Sequence, residues 1–213
     1  MRERPGYHDI IVVGASAGGI GPCLELLGEI PSNFPAAIFI VIHIPPSKPS
    51  MLPRIFSRAT RLNVIDGIKD GDVIRPGQVY VAPSDYHLLL KFGGVELGHG
   101  PRENWARPAI DALFRSAARI YRSRVIGIVL SGVLYDGTAG LSAIKEYGGI
   151  VMVQDPDEAL HPEMPLSALQ NLSVDYCLPV AQMPARLMHL VQGTLHSISQ
   201  LPRIAKSQET LRT

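Results

Sequence analysis

Three apolar strands, each running into a loop of small or polar residues, predict an α/β fold. Its core is a doubly wound, mostly parallel sheet in a Rossmann-like three-layer arrangement. "IIVV" (10–13), "AAIFIVIH" (36–43) and "VIGIVL" (125–130) are continuous apolar runs without polar alternation, the mark of strands buried on both faces. The segments between them carry apolar residues at helical spacing. A third observation is the change of rhythm between residues 63 and 99, where short strands alternate with turn residues. That punctuation predicts an antiparallel hairpin insertion.

Each element follows from its pattern. After the first strand, "GIGPCLELLGEI" (19–30) places Ile20, Cys23, Leu24 and Leu27 at helical spacing. "SMLPRIFSRAT" (50–60) reads as a helix with Pro53 in its first turn. "VIRPGQVYVAPSDYHLLLKFGGVELGH" (73–99) supplies the hairpin turns. A helix with proline at its first position starts at Pro108, and Ile110, Leu113, Phe114, Ala117 and Tyr121 share its apolar face. A helix over 137–147, a strand "IVMVQ" (150–154), a short helix near 166–171 and a helix near 183–197 complete the order. No linker or repeat divides residues 1–200, which read as one domain; 201–213 is a polar tail expected to fray.

Composition narrows the function. A net charge of +1, with scattered Lys and Arg, gives no general attraction to nucleic acid or to an acidic membrane. No apolar run approaches the ~20 residues of a membrane span. Arg2 and Arg4 mimic the start of a leader, but Asp9 and the early glycines point to the first strand of a cytoplasmic protein. Cys23 and Cys177 cannot build a disulfide framework and are expected to be small buried residues.

The glycine turn after the first strand, "GASAG" (14–18), admits two chemistries. A nucleotide cradle needs glycine where Ser16 stands, and an acid about 20 positions further on. No Asp or Glu lies between Glu29 and Asp66. The form Gly-x-Ser-x-Gly instead presents a serine hydroxyl at a sheet edge. The bland alternative is a glycine-rich turn with a capping serine.

Two further strand ends favour the nucleophile. His43 ends the second strand, and Asp136 follows the 125–130 strand within "SGVLYDG". The carboxyl ends of neighbouring parallel strands converge on one crevice. A serine, a histidine and a carboxylate there are a nucleophile, its base and the base's orienter. The bland reading of His43 is a satisfied loop histidine, and that of Asp136 a helix N-cap, a role it could combine with orienting the histidine. Asn104, Arg107 and Asp111, in "ENWARPAID", lie at a helix start opposite these ends. They would contact substrate, or else Arg107 pairs with a carboxylate and fixes the loop. The histidines at 8, 87, 99, 161, 189 and 196 show no metal-ligand spacing.

The chain resembles the catalytic domain of the CheB family, the chemotaxis protein-glutamate methylesterases. Six ordered blocks carry the resemblance: "VVGASAGG" (12–19), "VIHIPP" (41–46), "DGDVIRPGQVYVAPSDYHL" (70–88), "GPRENWARPAIDALFRSAA" (100–118), "GIVLSGVLYDGTAGLSAIKEYGG" (127–149) and "EMPLSAL" (163–169). Position by position, it puts the family's catalytic serine, histidine and aspartate on Ser16, His43 and Asp136. It implies hydrolysis of glutamate γ-methyl esters on methylated chemoreceptor cytoplasmic domains, with glutamine deamidation alongside. It implies neither metal nor organic cofactor, no nucleic acid and no membrane insertion. Backbone amides near Ala17 and Val133 are the expected oxyanion donors.

Two departures qualify the likeness. The family commonly reads Gly-Met-Gly-x-Asp-Gly where this chain has Gly132-Val133-Leu134-Tyr135-Asp136-Gly137. Leucine in place of glycine argues against a positive φ at 134 and so against a family-like loop. Only nine residues precede the first strand, so control by an attached receiver domain is not expected, and a separate response-regulator receiver becomes the candidate partner. The competing readings are a CheB-like module that binds a partner without catalysis, favoured by Leu134, and a nucleotide-binding protein.

Overall fold

The apolar runs form the centre of a seven-stranded parallel sheet in the computed structural model, which describes residues 8–44 and 50–199, with side chains described to residue 192. The first four strands are β1 (Ile10–Ala15), β2 (Ala37–Ile42), β3 (Asn63–Ile65) and β4 (Gln78–Val81). A separate antiparallel hairpin joins β5 (His87–Lys91) to β6 (Gly94–Gly98). The large sheet resumes with β7 (Val125–Val129), β8 (Ile150–Gln154) and β9 (Tyr176–Leu178). Its order is β3-β4-β2-β1-β7-β8-β9, with every pair parallel.

Among the described residues, six α-helices cover the sheet: α1 (Ile20–Gly28), α2 (Leu52–Phe56), α3 (Ile110–Tyr121), α4 (Thr138–Glu146), α5 (Glu163–Asn171) and α6 (Met183–Ser199). Successive strand residues point to opposite faces, so β1 divides its side chains between two cores. Ile10 and Val12 join Phe39 and Val41 beneath α3, α4 and α5. Ile11, Val13 and Ala15 join Ile38 and Ile40 beneath α1, α2 and α6. The expected three layers result, and the central strands are buried on both faces because each face has its own layer of helices.

Several expectations need correction. The antiparallel reading of 63–99 holds only for the hairpin at 87–98; β3 and β4 belong to the parallel sheet. The glycines and proline between them lie in the long connection that a parallel pair requires. That connection is tied to the hairpin through bonds such as Gly71 N to Val95 O (3.0 Å) and Ile74 N to Gly93 O (3.0 Å). Pro108 precedes α3 rather than opening it, since Ala109 is the N-cap. The helix foreseen over 50–60 shortens to α2, and the one near 166–171 starts earlier, at Glu163. The short edge strand β9 escaped the sequence reading. Cys23 is buried as expected, but Cys177, on that edge strand, is exposed. The expected polar tail at 201–213 lies outside the described residues.

Candidate active site

Strand register brings Ser16 and His43 together. Ala15 on β1 is level with Ile42 on β2, so the next residue on each strand is Ser16 and His43. Backbone bonds carry both strands one residue further: Ser16 N donates to Ser131 O (2.9 Å) and His43 N to Ala15 O (3.2 Å). Neighbouring strands lie about 4.8 Å apart, so the ring nitrogen nearer the backbone reaches the serine. His43 Nδ1 is 3.1 Å from Ser16 Oγ, and His43 Nε2 is 2.8 Å from Asp136 Oδ2. An ionised carboxylate can only accept, so Nε2 carries the proton and Nδ1 is left as the base.

The turn that presents Ser16 is held from below. Gly18 has φ +72°, a conformation that suits glycine. The buried Ser131 hydroxyl donates to Ala17 O (2.9 Å), and Gly19 N donates to Ser16 O (3.0 Å). Helix α1 starts at Ile20 with Gly19 as N-cap and no side-chain cap bond. Ser16 is therefore no capping serine; its hydroxyl is directed to His43. Ser131 was missed by sequence reasoning, although its place one residue beyond "VIGIVL", level with Ser16, was the available signal.

Asp136 is 3% exposed, and its carboxylate is saturated with donors. Oδ2 accepts from His43 Nε2 and from Ile110 N (2.7 Å); Oδ1 accepts from Asp111 N (3.1 Å) and Asn104 Nδ2 (2.6 Å). The alternative of an N-cap on the following helix is thus corrected. The N-cap of α4 is Gly137, at φ +99° and without a side-chain cap, while Asp136 caps the start of α3. Asp111, in α3, returns the arrangement: its Oδ1 accepts from Gly137 N (3.1 Å) and Gly140 N (2.6 Å) at the start of α4. Asn104 Nδ2 also donates to Asp111 Oδ2 (2.7 Å), bridging the two carboxylates.

These partners set the charges. Burial pushes the Asp136 carboxyl up, but donors from His43, Ile110 and Asn104 outweigh it and hold the group below its ordinary range. Asp111 goes the other way, raised by burial and by the neighbouring Asp136 charge against the opposing bonds from Gly140 and Asn104. Asp136 is the carboxylate fitted to stay ionised beside His43.

The structure separates the three loop residues foreseen near the site. Asn104 and Asp111 fix Asp136. Arg107 follows the structural alternative: Nε and Nη2 bond Asp85 Oδ1 (3.0 and 2.6 Å), and Nη1 bonds Gly100 O (2.7 Å). Arg107 and then His99 hold the Asp85 carboxyl below its usual range. The expectation for Leu134 is overturned, since its φ is +65°. A residue with a β-carbon occupies the left-handed turn that glycine would take without strain, at a cost of roughly 1–2 kcal/mol. Among the described residues, the amides of Ala17 and Val133 have no hydrogen-bond partner. Ala17 follows the serine directly; Val133 follows Gly132, whose α-carbon packs so closely on Ser16 that an added β-carbon would lie 2.8 Å from Ser16 Cβ. Among the described residues, no group of side chains could hold a metal ion, and no helix is long and apolar enough to cross a membrane.

Residues 11–187 match the family model of the CheB methylesterase. The chain belongs to the CheB methylesterase family. The chain is 38% identical over 189 residues to a putative protein-glutamate methylesterase/protein-glutamine glutaminase of Leptospira interrogans, covering 88% of this chain and 97% of that one. It is 34% identical over 200 residues to protein-glutamate methylesterase/protein-glutamine glutaminase 2 of Methanosarcina mazei, covering 90% of this chain but 54% of the relative. It thus spans about half the length of that relative. The crystal structure of the Thermotoga maritima CheB methylesterase catalytic domain superposes with a TM-score of 0.81 at 35% identity, covering 86% of this chain and 99% of the other. The parallel sheet of this CheB-family chain is therefore the family's fold.

Proposed function

We propose that this chain is a serine hydrolase that removes methyl esters from glutamate side chains of chemoreceptors and deamidates glutamine, serving adaptation in chemotaxis. The observation that carries the reading is the unbroken relay from Ser16 Oγ through His43 to Asp136 at one sheet edge. Family membership supports the substrate class.

In the reaction, Ser16 Oγ attacks the ester carbonyl carbon as its proton passes to His43 Nδ1. Asp136 stabilises the imidazolium through Nε2–H. The tetrahedral oxyanion takes the amides of Ala17 and Val133, each such donor contributing roughly 2.7–4 kcal/mol to the barrier reduction. The C–O bond to methanol breaks as Nδ1–H returns the proton to the leaving oxygen. Water then attacks the glutamyl-serine ester, giving one proton to Nδ1, which passes it to Ser16 Oγ as the C–O bond breaks; the γ-carboxylic acid leaves and loses its remaining proton to solvent. With glutamine, ammonia takes the place of methanol.

The positive φ of Leu134 removes the reason for preferring a non-catalytic module. The test is methanol release from methyl-labelled receptor membranes. The wild type releases methanol, and Ser16→Ala lowers the rate roughly a thousand-fold or more. Release unaffected by Ser16→Ala, or absent from every methylated receptor, overturns the reading.

A further inference from the structure

Beside the relay, sharing His43 and Asn104 with it, opens a cleft of about 370 Å³. Ile44, Trp105, Pro108 and Leu134 give it apolar walls, and two guanidinium groups, Arg102 and Arg107, line it. Arg107 is committed to Asp85 and Gly100, whereas Arg102, exposed on the same loop, has no partner among the described residues. Trp105 is 85% exposed and Leu134 59% exposed, and both stand at positive φ, +64° and +65°. Holding a bulky side chain in the left-handed region costs free energy, and leaving its apolar surface in water forgoes burial. In the isolated chain most of the apolar surface of both side chains stays in water. Strained positions at a functional site fit a ligand contact.

We infer that this cleft is a subsite for a second acidic side chain of the target. Arg102 would accept the carboxylate and the Trp105 and Leu134 surfaces its aliphatic stem, while the ester sits at Ser16. Asp and Glu differ from their esters in charge, so the subsite selects targets in which a free carboxylate lies near the ester. On a helix, residues three or four apart share a face about 5–6 Å apart, which makes one turn away the natural spacing. The inference deepens the esterase reading and rests on it for the identity of the target.

The single tryptophan of the chain is Trp105, so its fluorescence reports the cleft directly. Ser16→Ala protein, which keeps the β-carbon packed on Gly132, is titrated with two tryptophan-free helical 15-residue peptides. Each has a central glutamate γ-methyl ester; one carries Glu and the other Ala four residues to either side. The expected result is a blue shift and an affinity roughly 3- to 10-fold tighter for the Glu-flanked peptide. Arg102→Gln, made in the same background, brings the two peptides to one affinity, and Arg102→Glu reverses the preference toward a Lys-flanked peptide. Equal affinities for the first two peptides, a preference that survives Arg102→Gln, or no fluorescence change with either peptide overturns the subsite. Discrimination by a protein whose Ser16 form hydrolyses no methyl ester would overturn the esterase reading and leave the subsite standing; hydrolysis without discrimination would do the reverse.

Discussion

Leu134 and Asn104 both adopt the left-handed conformation, for different reasons. Asn104, at φ +49°, belongs to the residue types that tolerate this region, and its amide nitrogen reaches both Asp111 and Asp136. Leu134 has no such aptitude and is largely exposed, so it loses little burial on truncation. Leu134→Gly is therefore expected to hold or raise stability, by at most about 1 kcal/mol, because relief of the left-handed strain offsets glycine's larger unfolded-state entropy. Leu134→Ala, which keeps the β-carbon, should not raise it. Midpoints of urea unfolding compare the two. For Asn104→Ala, kcat should fall about ten-fold with KM nearly unchanged, since the residue orients Asp136 and touches no reacting atom. Losing that donor loosens the hold on Asp136, and through it on His43, while the fold is kept, so kcat falls in protein whose urea-unfolding midpoint stays close to that of the wild type. A fall in kcat matched by a large fall in the midpoint would argue for loss of structure instead.

At the scale of elements, α3 and α4 exchange carboxylates. Each helix start carries amides without intrahelical partners, and each is satisfied by an aspartate from the other side of the pair. The two aspartates have opposite pH signatures. Asp136 has a lowered folded pKa, so its stabilisation is present above the ordinary carboxylate range and is lost as pH falls through the folded value. Asp136→Asn turns an amide NH₂ toward donors that faced an acceptor, which costs about 1–3 kcal/mol at neutral pH. The stability gap between wild type and this variant should be widest near neutrality and should narrow as pH falls below about 4. Asp111 has a raised pKa, so its contribution is lost as pH rises through that value. The gap for Asp111→Asn should therefore shrink on going from acid to neutral pH. Urea unfolding across pH reads both, and gaps that stay flat would contradict the assigned charges.

For the molecule as a whole, site geometry depends on how closely α3 lies on the sheet. The first glycine of "GASAG" serves this purpose rather than the turn itself. A β-carbon at Gly14 would lie 2.3 Å from Ile110 Cγ2, and Ile110 N is one of the donors to Asp136. Gly14→Ala should push the first turn of α3 outward, costing about 1–3 kcal/mol by overpacking. Because Asp136 moves with that turn, activity at temperatures well below unfolding should fall as well. Full activity in a destabilised variant would mean that α3 is not what fixes Asp136.

Much of this was legible in the sequence because strands buried on both faces leave an unbroken apolar signal. β1, β2 and β7 therefore stood out, and with them the positions of Ser16, His43 and Asp136 at their carboxyl ends. β3, β4 and β9 are three or four residues long, too short for pattern to tell a parallel neighbour from a hairpin, and they were misread or missed. Hydrogen bonds between distant segments were equally illegible. That Asp136 caps α3 rather than α4, that Asn104 spans two carboxylates and that Ser131 props up the serine turn each depend on residues 25 or more positions away being brought into contact. The conformation of Leu134 reverses the local rule for the same reason. Local sterics disfavour left-handed leucine, but the loop is held at one end by Gly132, bonded to His161, and at the other by Asp136 with its donors. Sequence determined which strands are central and which residues stand at their ends. Tertiary contact, whose free energy exceeds a strain of roughly 1–2 kcal/mol, decided the path of the backbone between them.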